Sequence, residues 1–314
     1  MGYGRVRHNG NLDLKPFNEA MHGLASIFVE FRRSGAQSRR FNFHPLIIQS
    51  MPRSIVLLVS AALLNICILR AEEKPAAAQA PAATTPAAPS TPAVKLPPQP
   101  PDVPAIKVAV DGTPNAGFLS AHERFVKVAK EGKAQLLFLG DSITAGWAGN
   151  GKAIWSQAFG QWEPANFGIG GDRTQHVLWR IQNGELDGLK PKVAVLMIGT
   201  NNVGGDTAEG IAKGITKIVE TIREKTPATK ILLLAVFPRG QKPNPGREKL
   251  KQVNQIIAKL DDGKSIFFLD IGAKFMTPDG LMTTEITPDY LHLSAAGYQL
   301  WADAVTPKLQ ELMK

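Results

Sequence analysis

The 314-residue sequence is short of several features that would assign it to a class at once. It has one cysteine, Cys67, which excludes an intramolecular disulfide framework and a thiolate-built zinc site. It has six histidines and no H-E-x-x-H, and only His122, His176 and His292 lie in the part that reads as folded. The pattern therefore implies no metal and no other cofactor. Its most apolar run, Ser54–Leu69, has 16 residues and falls short of the ~20 that a membrane-spanning helix needs. There is no internal repeat. The basic excess is also smaller than it first reads. The formal net charge is +9, but residues 1–50 carry 7 Lys/Arg against 3 Asp/Glu, and residues 106–314 carry 25 against 21. So even a balance is a weak footprint for nucleic acid, which is not expected as a partner.

Composition divides the chain into four stretches. Arg53 and the apolar run after it have the form of an export signal, with small residues for cleavage at Ala71 and at Ala76–Ala80. Residues 51–70 are read as a signal peptide, with a single-pass anchor as the rival. The expected location is periplasmic or extracellular, membrane-tethered if the signal is not cleaved. Ile66 is too large for the position before a lipidated Cys67. Residues 1–50 have little periodicity. They read as a non-native extension upstream of a start at Met51, or as a disordered basic tail before an anchor. Residues 71–105 contain ten prolines, eleven alanines and no aromatic residue. Such a stretch cannot bury enough apolar surface to offset its chain entropy, so it is read as a semi-rigid linker.

Residues 106–314 alternate short apolar runs with helical periodicity. The runs are Gln135–Leu139, Ala165–Phe167, Val193–Ile198, Ile231–Val236 and Ile266–Leu269. Ile211, Ile215, Ile218, Val219 and Ile222 recur at helical spacing, with Asp206 and Glu209 as a candidate capping box. Arg247–Leu260 and Ser294–Met313 also read as helices. Continuous apolar strands separated by helices predict one three-layer α/β domain with a five-stranded parallel sheet. Ligands bind such sheets outside the carboxyl ends of the strands, so the residues just after each run are the ones to weigh.

Four of those places carry chemistry. GDSITAGW, Gly140–Trp147, puts Ser142 on a tight strand-to-helix turn, although Asp-Ser is also an ordinary helix cap. In Asn166–Ile181, NFGIGGDRTQHVLWRI, three glycines free the main chain to approach a ligand, and their spacing fits neither a dinucleotide fingerprint nor a Walker loop. GTNN, Gly199–Asn202, offers an uncharged amide suited to an oxyanion, or a plain Asn turn. DYLHLS, Asp289–Ser294, sets an Asp three residues before His292, where it can accept from the imidazole and fix its tautomer. His122 reads as a surface residue. His176 follows the glycine loop without an acid placed to orient it.

In this order the four blocks resemble those of the SGNH (GDSL) hydrolases. NFGIGGDRTQHVLWRIQNGEL, IGTNN, FPRGQKPNPGREK and DYLHLS resemble in particular the α subunits of intracellular platelet-activating-factor acetylhydrolase. The resemblance covers residues 106–314 and implies a flavodoxin-like sheet in the order 2-1-3-4-5 with helices on both faces. It implies a serine esterase with Ser142 as nucleophile, His292 as base and Asp289 as its orienting acid. The implied oxyanion hole comprises the Ser142 and Gly171 N–H groups and the Asn201 amide. It further implies an acylated phospholipid as substrate, an acetyl ester above all, and a homodimer by analogy, whereas the export signal and linker, which those intracellular enzymes lack, point to a carbohydrate O-acetyl ester. Ile143 departs from the Leu usual in those subunits. A binding module that kept the fold and lost turnover is the alternative of another class.

Overall fold

The structure, a computed structural model, describes residues 99–314. The extension 1–50, the signal 51–70 and the linker as far as residue 98 lie outside the described residues. Five parallel strands form one sheet: β1 (Leu136–Gly140), β2 (Pro164–Gly168), β3 (Val193–Met197), β4 (Lys230–Leu234) and β5 (Ile266–Leu269). Their order is β2-β1-β3-β4-β5, as the sequence implied. Every residue of β1 and β3 is buried, which only a strand covered on both faces and paired on both sides requires, and both read as unbroken apolar runs. The edge strands behave otherwise: β2 alternates buried and half-buried residues, and β5 is half-buried throughout.

The helices are α1 (Ala116–Glu131), α2 (Ser142–Ala145), α3 (Lys152–Phe159), α4 (Thr174–Arg180), α5 (Ala208–Lys225), α6 (Pro245–Ile257) and α7 (Ala295–Leu312). Connections between parallel strands are right-handed. The step from β1 to β2 runs one way across the sheet and every later step runs the other way, so the crossing helices fall on opposite faces. In agreement, α4, α5 and α6 pack side by side in one layer, while α3 packs with α7. Between α3, α7 and β1 lies an aromatic core in which Trp147 stands about 5 Å from the rings of Trp155, Phe159, Tyr298 and Trp301. Among the described residues no helix is long and apolar enough to cross a membrane.

Three details depart from the sequence reading. The N-cap of α5 is Thr207, whose hydroxyl accepts from the Gly210 N–H at 3.0 Å, and Asp206 instead accepts from the Asn202 amide at 2.9 Å. His122 is buried rather than superficial, with Nδ1 2.9 Å from a Glu185 carboxylate oxygen. The stretch Gln99–Ala105, read as the end of the spacer, lies against the domain. There Pro101 accepts from the Thr174 hydroxyl at 2.8 Å, Gln99 accepts from the Gln175 amide at 3.0 Å, and Asp102 pairs with Lys213 at 2.7 Å. Composition favours a free chain there, but specific acceptors for buried donors of α4 hold the strap down.

The nucleophile turn depends on close backbone approach. A Cβ on Gly140 would run into the Thr144 side chain and the Met197 carbonyl, whereas one on Gly160 would meet nothing within 4 Å. Gly140→Ala is expected to lower stability by about 1–3 kcal/mol through overpacking. Gly160→Ala, at a helical φ of −52°, is expected to raise it by about 0.4–1 kcal/mol. Urea unfolding midpoints of the two variants check that one chemical change has opposite signs at the two places.

Candidate active site

The chain reverses its direction of travel across the sheet between β1 and β3, and ligands of such sheets bind in the crevice outside the carboxyl ends at that point. Ser142 is the first residue of α2, directly after β1. As an N1 residue it has no intrahelical acceptor for its N–H. Asp141 caps the helix, with its carboxylate accepting from the Ile143 N–H at 2.9 Å. From α7 the Tyr298 hydroxyl donates to the Ile143 carbonyl at 2.6 Å. The turn is thus pinned at both ends of its second residue, and burial raises the Tyr298 phenol so that it stays a donor.

His292 comes 150 residues later and reaches the same point: its Nε2 lies 2.8 Å from Ser142 Oγ. Its Nδ1 lies 2.6 Å from Asp289 Oδ2, and the other Asp289 oxygen accepts from the His292 and Leu291 N–H groups at 2.7 and 3.1 Å. Partial burial pushes the Asp289 carboxyl up, but the imidazole and these two N–H groups hold it below the usual carboxylate range. A carboxylate facing Nδ1 places the ring proton there and leaves Nε2 as an acceptor toward the serine. The line is open to solvent, with the His292 and Asp289 side chains 44% and 56% exposed.

The loop that carries Asp289 and His292 is bent through Tyr290, whose φ is +59°. That conformation is uncommon for a residue with a side chain and must be held by its surroundings. The Gly240 N–H donates to the Tyr290 carbonyl at 2.7 Å. The Arg247 guanidinium in turn gathers carbonyls on both sides, with Arg239 O at 2.9 Å and Gly280 O at 2.5 Å, and it also bonds Gly240 O. The FPRGQKPNPGREK block thus acts as a clamp on the His292 loop. Neither Arg247 nor Tyr290 was legible as part of the site, because the signal lies in carbonyl positions that no residue pattern shows.

The candidate oxyanion donors come from the segments that follow β2 and β3. Gly171 has a φ of +71°, and among the described residues its N–H has no hydrogen-bond partner. Asn201 stands in the 3-10 turn Thr200–Asn202 after β3, and its Nδ2 donates to the Asp172 carbonyl at 2.8 Å. One amide proton is thereby used and one remains. Thr200, next to it, receives the Arg239 guanidinium on its carbonyl at 2.7 Å. The structure therefore joins Ser142, His292 and Asp289 directly, and joins Asn201 to the Gly171–Asp172 loop. His176 is buried as a capping partner: its Nδ1 accepts from the Arg173 N–H at 3.1 Å, and burial pushes it down to about 3, so it stays neutral.

Two further acids sit under the site. Asp141 is fully buried and one of its oxygens has no partner; burial pushes its carboxyl up to about 7. Asp172 is also buried, and burial pushes it up to about 6 against the pull of Arg180 and Lys107. The folded state thus holds a proton on Asp141 that the unfolded chain gives up near 3.8, so this group makes stability fall as pH rises from about 4 to about 7. Asp141→Asn keeps the capping oxygen and removes that slope. Urea unfolding at about pH 5 and about pH 8 is expected to show the variant gaining on the parent with rising pH, by up to about 3 kcal/mol.

A profile of the GDSL-like lipase/acylhydrolase family matches residues 138–300. Over 182 residues the chain is 43% identical to platelet-activating factor acetylhydrolase IB subunit alpha1 of Homo sapiens, a match covering 58% of this chain and 78% of that protein. It is also 43% identical, with the same shares covered, to the alpha2 subunit of Mus musculus. Among solved structures, a GDSL-like lipase from Bacteroides thetaiotaomicron has a TM-score of 0.51 and 18% identity, covering 60% of this chain and 97% of that one. At that identity the likeness is one of fold.

Proposed function

The chain belongs to the GDSL-like lipase/acylhydrolase family and is a carboxylic ester hydrolase, and on that premise we propose a serine esterase that removes short acyl groups, acetyl first among them, from oxygen esters. The observation that carries the reading is the line Asp289–His292–Ser142, with contacts of 2.6 and 2.8 Å. Ser142 Oγ attacks the ester carbonyl carbon while His292 Nε2 takes the hydroxyl proton, and Asp289 steadies the imidazolium. The Ser142 and Gly171 N–H groups and the free Asn201 proton stabilise the tetrahedral oxyanion. Collapse breaks the ester C–O bond, and His292 returns the proton to the departing alkoxide. Water, deprotonated by the same imidazole, then releases the acid from the acyl-enzyme.

Similarity to acetylhydrolase subunits at 43% identity supports the acetyl group. Two alcohols fit. An acetylated ether phospholipid follows from those relatives. A carbohydrate O-acetyl ester is favoured by the Pro/Ala spacer and the apolar run Ser54–Leu69, which suit an enzyme exported and held away from the cell.

Ser142→Ala is expected to abolish both turnover and labelling by a serine-directed fluorophosphonate, whereas persistent labelling assigns another nucleophile. Asn201→Ala is expected to cost roughly 10²–10³ in turnover of p-nitrophenyl acetate, and an unchanged rate removes it from the oxyanion hole. Folded wild-type protein that does not hydrolyse that ester at all is a binding module. Initial rates on acetylated xylan and on an acetylated ether phospholipid separate the two alcohols.

A further inference from the structure

Arg180 ends α4 and is completely buried, yet its charge serves no part of the chemistry above. Its donors reach four groups on different segments. Nε donates to Asp172 Oδ2 at 2.9 Å. One terminal nitrogen donates to the Phe167 carbonyl at 3.0 Å and, more weakly, to the Gly140 carbonyl at 3.4 Å. The other donates to Glu185, whose second oxygen lies 2.9 Å from His122 Nδ1. Phe125 covers the guanidinium at 5.8 Å, and Lys107 closes the far side of Asp172 at 3.4 Å while bonding the Gly170 carbonyl.

These contacts converge on the three candidate oxyanion donors without touching the reacting atoms. Gly140 lies two residues before Ser142. Asp172 follows Gly171, and its own carbonyl receives the Asn201 amide at 2.8 Å. Phe167 is the last residue but one of the strand that feeds the glycine loop. A single planar fork therefore fixes the ends of β1 and β2 and the loop between Gly170 and Asp172 relative to one another. Burying such a charge is a poor way to gain stability, since desolvation consumes most of the attraction and apolar replacements are often no worse. It is a good way to fix positions, because the guanidinium bonds only in a defined plane and direction. Oxyanion donors act only within about 2.7–3.1 Å of the developing charge, so position is what they require.

We propose that Arg180 is a positioning residue for the oxyanion hole, holding the Ser142, Gly171 and Asn201 donors in register through Gly140, Phe167 and Asp172. This rests on the esterase reading of the same site. Lysine in its place keeps the charge and loses the fork.

The test is Arg180→Lys alone and combined with Asn201→Ala, with kcat and KM for p-nitrophenyl acetate expressed per folded molecule as counted by near-UV circular dichroism. Arg180→Lys is expected to lower kcat by about 10²-fold, with KM changed less than about threefold. In the Asn201→Ala background the same change is expected to cost only about threefold, because the hole is already dismantled. Asp172→Asn keeps volume and carbonyl and removes the carboxylate that Arg180 holds, and it carries the same expectations where Arg180→Lys does not fold. A folded variant with parental kcat, or a loss that adds in full to that of Asn201→Ala, overturns the proposal. Failure of the esterase reading looks different: the parent itself then lacks serine-dependent turnover.

Discussion

Right-handed connection of parallel strands is the constraint from which the rest of this molecule follows. The chain lays down β1, steps to one side for β2, and then crosses back over β1 to build β3, β4 and β5. Only where it reverses do two neighbouring strands send their exits to opposite faces, and a crevice opens between them. Ser142 leaves β1 there, Gly171 follows β2, and Asn201 leaves β3 on its other side. A serine, a glycine loop and an amide follow three adjacent strands because of sheet topology, with no need for them to be near in sequence.

Onto that frame the chain brings the base from far away. His292 precedes α7, and α7 is anchored in the aromatic core around Trp147 and Trp301. The same helix sends Tyr298 to the backbone of the nucleophile turn. The core and the site are therefore one mechanical unit: the ring that fills space beside Trp147 also holds the carbonyl after Ser142. On the opposite layer, α4 contributes Arg180 to the ends of β1 and β2. Each face of the sheet secures one side of the crevice.

Much of this was legible from residue patterns, for a physical reason. Unbroken apolar runs at Leu136–Gly140 and Val193–Met197 announce strands buried on both faces, and the serine and asparagine that follow them fall where such sheets bind ligands. The triad was readable because Asp289 and His292 are close in sequence and signal each other. Arg180 was not, since an arginine within VLWRI reads as the solvent face of a helix until Asp172 and Glu185 are seen to neutralise it. His122 failed for the same reason, its acid partner lying 63 residues away. The docked strap from Gln99 was hidden by its prolines, because composition reports the freedom of a chain in isolation and not the acceptors it offers to Thr174 and Gln175.

The half-exposed imidazole and its acid have a consequence for what can reach them. Dissolved reagents and salt meet His292 and Asp289 with no movement of the chain, whereas Asp141, Asp172 and Arg180 beneath them are sealed off. Screening by the buffer therefore acts on the exposed line and leaves the buried groups that steady it almost untouched.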